Sequence, residues 1–247
     1  EEVLHAWVGG NIFASRMVKW VKGIRVAESP VRYRPSLFAS IYRTTLSPLP
    51  ASFLIDAPTV RVHGYYVGTD KIDHFFQQGH GYHMRVLRKE ATGMDEAAAV
   101  AAVVKRGVKQ EHKYFGTLAS GVYSNGDLAA NYAGMKFYRN LRHTVRIGDA
   151  VRPALFEKTA AGWRLRAGVE RSRVLEPFLS NHLDESLNPS RYRFSRKSIR
   201  STVRNRCESW SRFYADRLEL VAPAGKNFAV KWHGEEYGYW LPPKEEV

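Results

Sequence analysis

Apolar residues recur every three to four positions along most of this chain, with two stretches that alternate instead. In residues 1–25, Val3, Leu4, Trp7, Val8, Ile12, Phe13, Met17, Val18 and Trp20 predict helix, interrupted at Gly9-Gly10. Residues 28–50 hold four prolines and read as an irregular wrap with a short helix over 37–42. The run TVRVHGYYV at 59–67 alternates and is rich in β-branched and aromatic residues, so a strand or hairpin is expected. A helix over 71–89 follows, with Thr69 or Asp70 as its N-cap and Asp70 and Asp73 at its positive end. It places Ile72, Phe75, Phe76, Gly79, His83, Val86 and Leu87 on one side, and Gly79 and Gly81 mark close packing against another element.

The next helix, 94–112, is rich in alanine and valine. Val100, Val104 and Val108 run at i, i+4 and i+8, and Glu111 takes the next i+3 position, so a carboxylate continues the buried stripe. A glycine-bearing turn over 116–126 leads to a helix capped by Ser124 or Asn125, with Asp127 in its first turn. Leu128, Asn131, Tyr132, Met135 and Tyr138 share one face of it. Residues 145–170 read as hairpin material with a turn at 159–162, and residues 173–187 as an amphipathic helix closed by Asn188-Pro189. Residues 191–206 hold seven cations and no acid on a predicted helix, and 218–240 is strand-like. The pattern predicts an α+β fold, mainly α-helical, with small β-hairpins. It is organised as a single domain over 1–247, with an N-terminal wrap (1–58) and a C-terminal basic helix and strand extension (191–247).

Composition narrows the partners. The chain has 247 residues, 44% hydrophobic and 13% aromatic, enough for a buried core, and a formal net charge of +14. That charge favours an anionic partner such as a cell wall, a membrane surface or nucleic acid. Cys207 is the single cysteine, so neither an intrachain disulfide nor a cysteine-rich zinc site is available. No apolar run is long enough for a transmembrane helix. The chain begins at Glu1 rather than methionine, which fits an exported protein, periplasmic or secreted, with its signal peptide removed. No Walker or dinucleotide glycine motif calls for a cofactor, and no helix-turn-helix, zinc-finger or RNA-binding signature calls for specific nucleic acid.

Glu111 is the first candidate for chemistry. A carboxyl in apolar surroundings has its charged form disfavoured, which a general acid needs near neutral pH. A buried structural glutamate would leave the same stripe. Asp127 is the second carboxylate, although a helix-start charge is the simpler account of it. Asp70 and His74, at i and i+4, read as a hydrogen-bonded pair that orders its helix beside the site. His80 and His83 add metal-ligand spacing, but His74 turns to a different face from them and no HExxH motif is present. Asp184 and Glu185, within HLDESLNPS, offer a second source of carboxylate for a cleft, although surface of their helix is the simpler account, and Cys207 reads as core.

A glutamate ending a helix, a glycine-bearing turn with a serine, and a helix reading AN-x-x-G resemble the lysozyme and lytic transglycosylase superfamily. The matching positions are Glu111, Ser124 and Asn131 to Gly134. The phrases DKIDHFF, SNGDLAANYAG and DESLNPSRY resemble a bacterial family of exported proteins that includes lysozymes acting on deacetylated peptidoglycan. The common transglycosylase phrase around a Gly-Leu-Met/Gln run is missing. The resemblance implies a lysozyme-like helical core and a monomeric peptidoglycan-cleaving enzyme. It implies Glu111 as catalytic acid, Ser124 and Asp127 as further catalytic groups, and Tyr123, Asn131, Asp70 and His74 as substrate-binding residues, with no metal or other cofactor. Two other classes stay open at this point. One is a non-catalytic basic protein that binds nucleic acid or an anionic envelope surface through 191–206. The other is a metal-dependent hydrolase using His74, His80 and His83.

Overall fold

A computed structural model describes residues 1–11, 14–23, 32–33, 59–116, 122–184 and 191–192. The fold is α+β and mainly helical, organised around one buried helix. In chain order, α1 (Glu2–Val8) is followed by a two-residue hairpin, β1 (Gly10–Asn11) and β2 (Ala14–Ser15), and by α2 (Arg16–Gly23). The expected break at Gly9-Gly10 is thus a chain reversal. A three-stranded antiparallel sheet joins β3 (Arg32–Tyr33), β4 (Thr59–Val62) and β5 (Tyr65–Gly68), with the β4–β5 turn at His63-Gly64, both at positive φ. The expected hairpin at 59–67 is this β4–β5 pair.

The predicted helix over 71–89 is present in three parts: α3 (Thr69–Asp73), a π-helical turn (His74–Gln78) and α4 (Gly79–Glu90). Its N-cap is Gly68, without a side-chain cap bond, rather than Thr69 or Asp70. A π-turn bonds i to i+5 and inserts one extra residue. Here it lets the neighbours Phe75 and Phe76 both reach the core. Helix α5 (Glu96–Gln110) is capped by Asp95, whose side chain accepts from the Ala98 amide, and it too ends in a π-turn, Glu111–Phe115.

Helix α6 (Asn125–Asn140) is the centre of the molecule. Ser124 caps it, accepting from the Asp127 amide at 3.0 Å. Twelve of its sixteen residues are buried, on every side. A helix apolar or small all round belongs in a core. It packs against α4, the first π-turn and α5. Close approach is enforced by glycine: a Cβ on Gly79 would lie 2.6 Å from Gly134 Cα, and one on Gly134 would overlap the Phe75 carbonyl oxygen. Gly79 therefore marks helix packing as expected, whereas a Cβ on Gly81 would meet only the Arg85 side chain.

Two hairpins follow, β7 (Val145–Ile147) with β8 (Ala150–Arg152) and β9 (Phe156–Thr159) with β10 (Gly162–Leu165), in the stretch expected to be hairpin material. Buried Asn140 ties them to the end of α6, its Nδ2 donating to the carbonyls of His143 (3.0 Å), Arg152 (3.3 Å) and Pro153 (3.0 Å). Asn140→Ala strands those carbonyls, so a loss of about 1–3 kcal/mol is expected, read as a lower urea midpoint with an unchanged slope.

The helix expected over 173–187 is not formed. Residues 171–183 make three short 3₁₀ turns, Arg171–Arg173, Glu176–Phe178 and Asn181–Leu183. Pro177 lacks the amide a continuous helix needs, and Ser180 is extended. Strand β11 (Arg191–Tyr192) pairs with β6 (Val122–Tyr123). The remainder of the predicted basic helix, the strand-like segment 218–240, Cys207, Glu185 and most of the N-terminal wrap lie outside the described residues. No helix among the described residues is long and apolar enough to cross a membrane.

Candidate functional site

The two π-turns begin at His74 and Glu111, two of the residues singled out from sequence. π-turns of this kind are frequent at functional sites, because they re-aim a side chain that a regular helix would point elsewhere. Glu111 is 4% exposed, as its place on the valine stripe predicted. Its Oε1 accepts from the Ser124 amide at 3.1 Å. The carboxylate is thereby fixed against the start of α6.

From Ser124 a chain of contacts runs round the site. The Ser124 hydroxyl holds the Asp127 amide. The Asp127 carboxylate receives Lys71 Nζ at 2.5 Å and lies 3.3 Å from His74 Nε2. His74 Nδ1 is 3.1 Å from Asn131 Oδ1, and Asn131 Nδ2 donates to the Tyr82 hydroxyl at 3.4 Å. The Tyr82 hydroxyl sits over Gly107, one turn before Glu111, where a Cβ would collide with it. Helices α3, α4, α5 and α6 thus each supply a wall of one polar ring within an apolar core. Solvent reaches it at His74 and Asp70, whose side chains are 25% and 23% exposed.

Charge within the ring is sorted. Burial works against the Asp127 carboxylate, but His74 and Lys71 outweigh it and hold the group below the usual carboxylate range. Burial, with a smaller contribution from the Glu111 charge, pushes the Tyr82 phenol up to about 12. Asp127 is therefore a standing anion and Tyr82 a neutral hydroxyl near neutral pH.

Glu111, Ser124, Asp127, Asn131 and His74 come together in this ring. Asp70 joins it through Lys71, at 2.6 Å from its Nζ, rather than through the expected hydrogen bond to His74. His74 keeps the regular helical place one turn after Asp70, its amide bonding the Asp70 carbonyl, while its ring meets Asp127 and Asn131 of α6. Tyr123 is buried next to Ser124, its ring 5.7 Å from that of His112 in an edge contact. Tyr132 is core, as its face implied. Asp184 is not helix surface: it is 1% exposed and accepts from the Thr59 hydroxyl at 2.7 Å.

Two ring members escaped sequence reading, Lys71 and Tyr82. Lys71 stands one helical turn before Phe75 on the same apolar stripe, and Tyr82 three residues after Gly79. A cation in register with an apolar face was the available signal.

His80 and His83 belong to a different cluster. The His80 ring stacks on His5 of α1 at 4.0 Å, and His83 Nε2 lies 3.1 Å from a Glu1 carboxylate oxygen. Neither converges with His74, and no group of three or more His, Cys, Asp or Glu among the described residues could hold a metal. Burial, then the neighbouring His5 and His83, lower His80 to about 4 from 6.5. A histidine so depressed contributes stability that is full above about pH 6.5 and is lost as pH falls toward 4. Discounted for solvent screening, about 1–2 kcal/mol is expected. Urea unfolding at pH 7 and pH 4.5 checks it: wild type should lose more than His80→Phe between the two.

A half-open cavity of about 750 Å³ lies at the other end of α6, lined by Asn140, Arg152, Arg173 and Phe178 among others, none of them from the ring. No protein-family model, no curated protein and no solved structure matches this chain.

Proposed function

We propose that the protein is a glycoside hydrolase of the lysozyme type that cleaves peptidoglycan glycan strands, with Glu111 as general acid. The observation that carries this reading is the pairing of two carboxylates in unlike settings within one ring. Glu111 is enclosed at the end of an apolar helix, and Asp127 is held ionised by its Lys71 and His74 partners. Groups whose environments separate their protonation states divide the acid and anion roles of glycosidases between them. Glu111 gives its proton to the glycosidic oxygen as the bond to the anomeric carbon breaks, and water then adds to that carbon and returns a proton to Glu111. Asp127 supplies fixed negative charge against the positive charge that develops on the sugar. Ser124 sets the spacing of the two, bonding Glu111 through its amide and the Asp127 amide through its hydroxyl. His74, Asp70 and Tyr123 serve the substrate side. The resemblance of SNGDLAANYAG and DESLNPSRY to a family of exported proteins that includes lysozymes supports the substrate class and an exported setting.

The test is muropeptide release from purified sacculi, native and chemically deacetylated, by wild type and Glu111→Gln. Release that depends on Glu111 supports the reading. Absence of release from both substrates, together with steeply salt-dependent binding indifferent to Glu111, would replace it with the basic binding protein.

A further inference from the structure

We propose that Lys71 is a positioning residue of this site: its buried ammonium, clamped between Asp70 and Asp127, fixes Asp127 as the standing anion against which His74 is aligned. The inference rests on the glycosidase reading for its catalytic consequence, but not for its geometry.

A lysine side chain with no exposed surface is rare, because moving an ammonium out of water is costly unless it is paired. Here Nζ lies 2.6 Å from Asp70 Oδ2 and 2.5 Å from Asp127 Oδ1. Asp70 follows Gly68 at the very start of α3, and Asp127 lies in the first turn of α6. Lys71 therefore bolts together the N-termini of two helices from distant parts of the chain. Among the described residues, the charged and titratable groups on the elements around Asp127 are Lys71, Asp70 and Asp73 of α3, His74 of the first π-turn, Tyr82 of α4 and Glu111 of the second π-turn. Helix α2 packs on α3, and its Arg16 and Lys19 are exposed. With one Asp127 oxygen on Lys71, the other is left for His74 Nε2 at 3.3 Å, and His74 Nδ1 is then set on Asn131. Lys71 needs no contact with substrate to act: removing it frees the carboxylate to rotate and to take a proton, and the His74 ring loses its reference.

Lys71→Met keeps the stem and removes the charge, and three readouts follow. The Asp127 carboxyl, followed by carbon NMR across pH, should titrate about one unit or more higher than in wild type, as expected on losing an adjacent cation. The acid limb of the pH–rate profile on sacculi should move up in step, and kcat should fall about tenfold or more with KM within about twofold. Lys71→Arg should hold the Asp127 titration near wild type. Lys71→Met/Asp127→Asn removes both charges, so it should regain thermal stability relative to Lys71→Met while staying inactive. That double variant keeps the test open if Lys71→Met fails to fold. An unchanged Asp127 titration in Lys71→Met, or wild-type activity in the double variant, overturns the proposal. The titration is read without catalysis, so a protein that releases no muropeptides would sink the glycosidase reading and leave the role of Lys71 still decided by NMR.

Discussion

Glu111→Gln loses muropeptide release by about 10²–10⁴-fold, the usual contribution of a positioned general acid, while its melting curve stays close to wild type. Glutamine is the right probe because it is nearly isosteric and retains the carbonyl oxygen that accepts from the Ser124 amide. The helix cap, the π-turn and the packing around Gly107 are all preserved. What goes is the transferable proton. The loss should fall on kcat and on kcat/KM alike, because the interaction removed exists only in the transition state. Asp127→Asn differs in kind: it removes one of the two carboxylates that clamp the buried Lys71 ammonium, so stability falls along with activity. Comparing the two variants by liquid chromatography of released muropeptides and by thermal unfolding separates an acid from an anion. A Glu111→Gln enzyme within about threefold of wild type would remove Glu111 from the mechanism, since no general acid contributes so little.

Much of this site was legible as register. Val100, Val104 and Val108 placed Glu111 on a buried face, and Ser124 and Asp127 were placed at the start of the next helix by capping rules alone. The fold class followed from the same periodicities. What local spacing cannot carry is a tertiary partner. His74 does stand one regular turn after Asp70, but its ring meets Asp127 and Asn131, which lie on a helix more than fifty residues on. Lysine seldom packs inside, and only its partners, Asp70 beside it and Asp127 fifty-six residues on, account for the burial of Lys71. The segment 173–187 failed for the opposite reason. Val174, Leu175, Phe178 and Leu183 recur near helical intervals and do pack on the core, but short 3₁₀ turns, the last two separated by the extended Ser180, deliver them there as well. Apolar spacing reports which residues are inside and leaves open the backbone that takes them there.

Gly134→Val is expected to be the most destabilising single change in the described core, because two opposed effects act on it and one is much larger. In isolation, replacing a mid-helix glycine should help, as glycine costs about 1 kcal/mol relative to alanine in a helix and valine only part of that. In place, even a first carbon on Gly134 overlaps the Phe75 carbonyl oxygen, and that neighbour is backbone. A flexible side chain could move aside; the π-turn carrying Phe75 cannot move without taking His74 and Gly79 with it, and Gly79 itself touches Gly134. Overpacking of a well-filled core costs about 1–3 kcal/mol, more where the backbone must shift, so a net loss of about 3 kcal/mol or more is expected. For a mainly helical domain of this size that corresponds to a fall in Tm on the order of 5–10 °C. The same displacement pulls His74 from Asp127 and Asn131, so activity should fall further than the fraction unfolded explains. Melting curves paired with muropeptide release well below the lowered Tm read both effects. A valine variant that melts with wild type would mean that the α6 crossing does not hold the first π-turn in place.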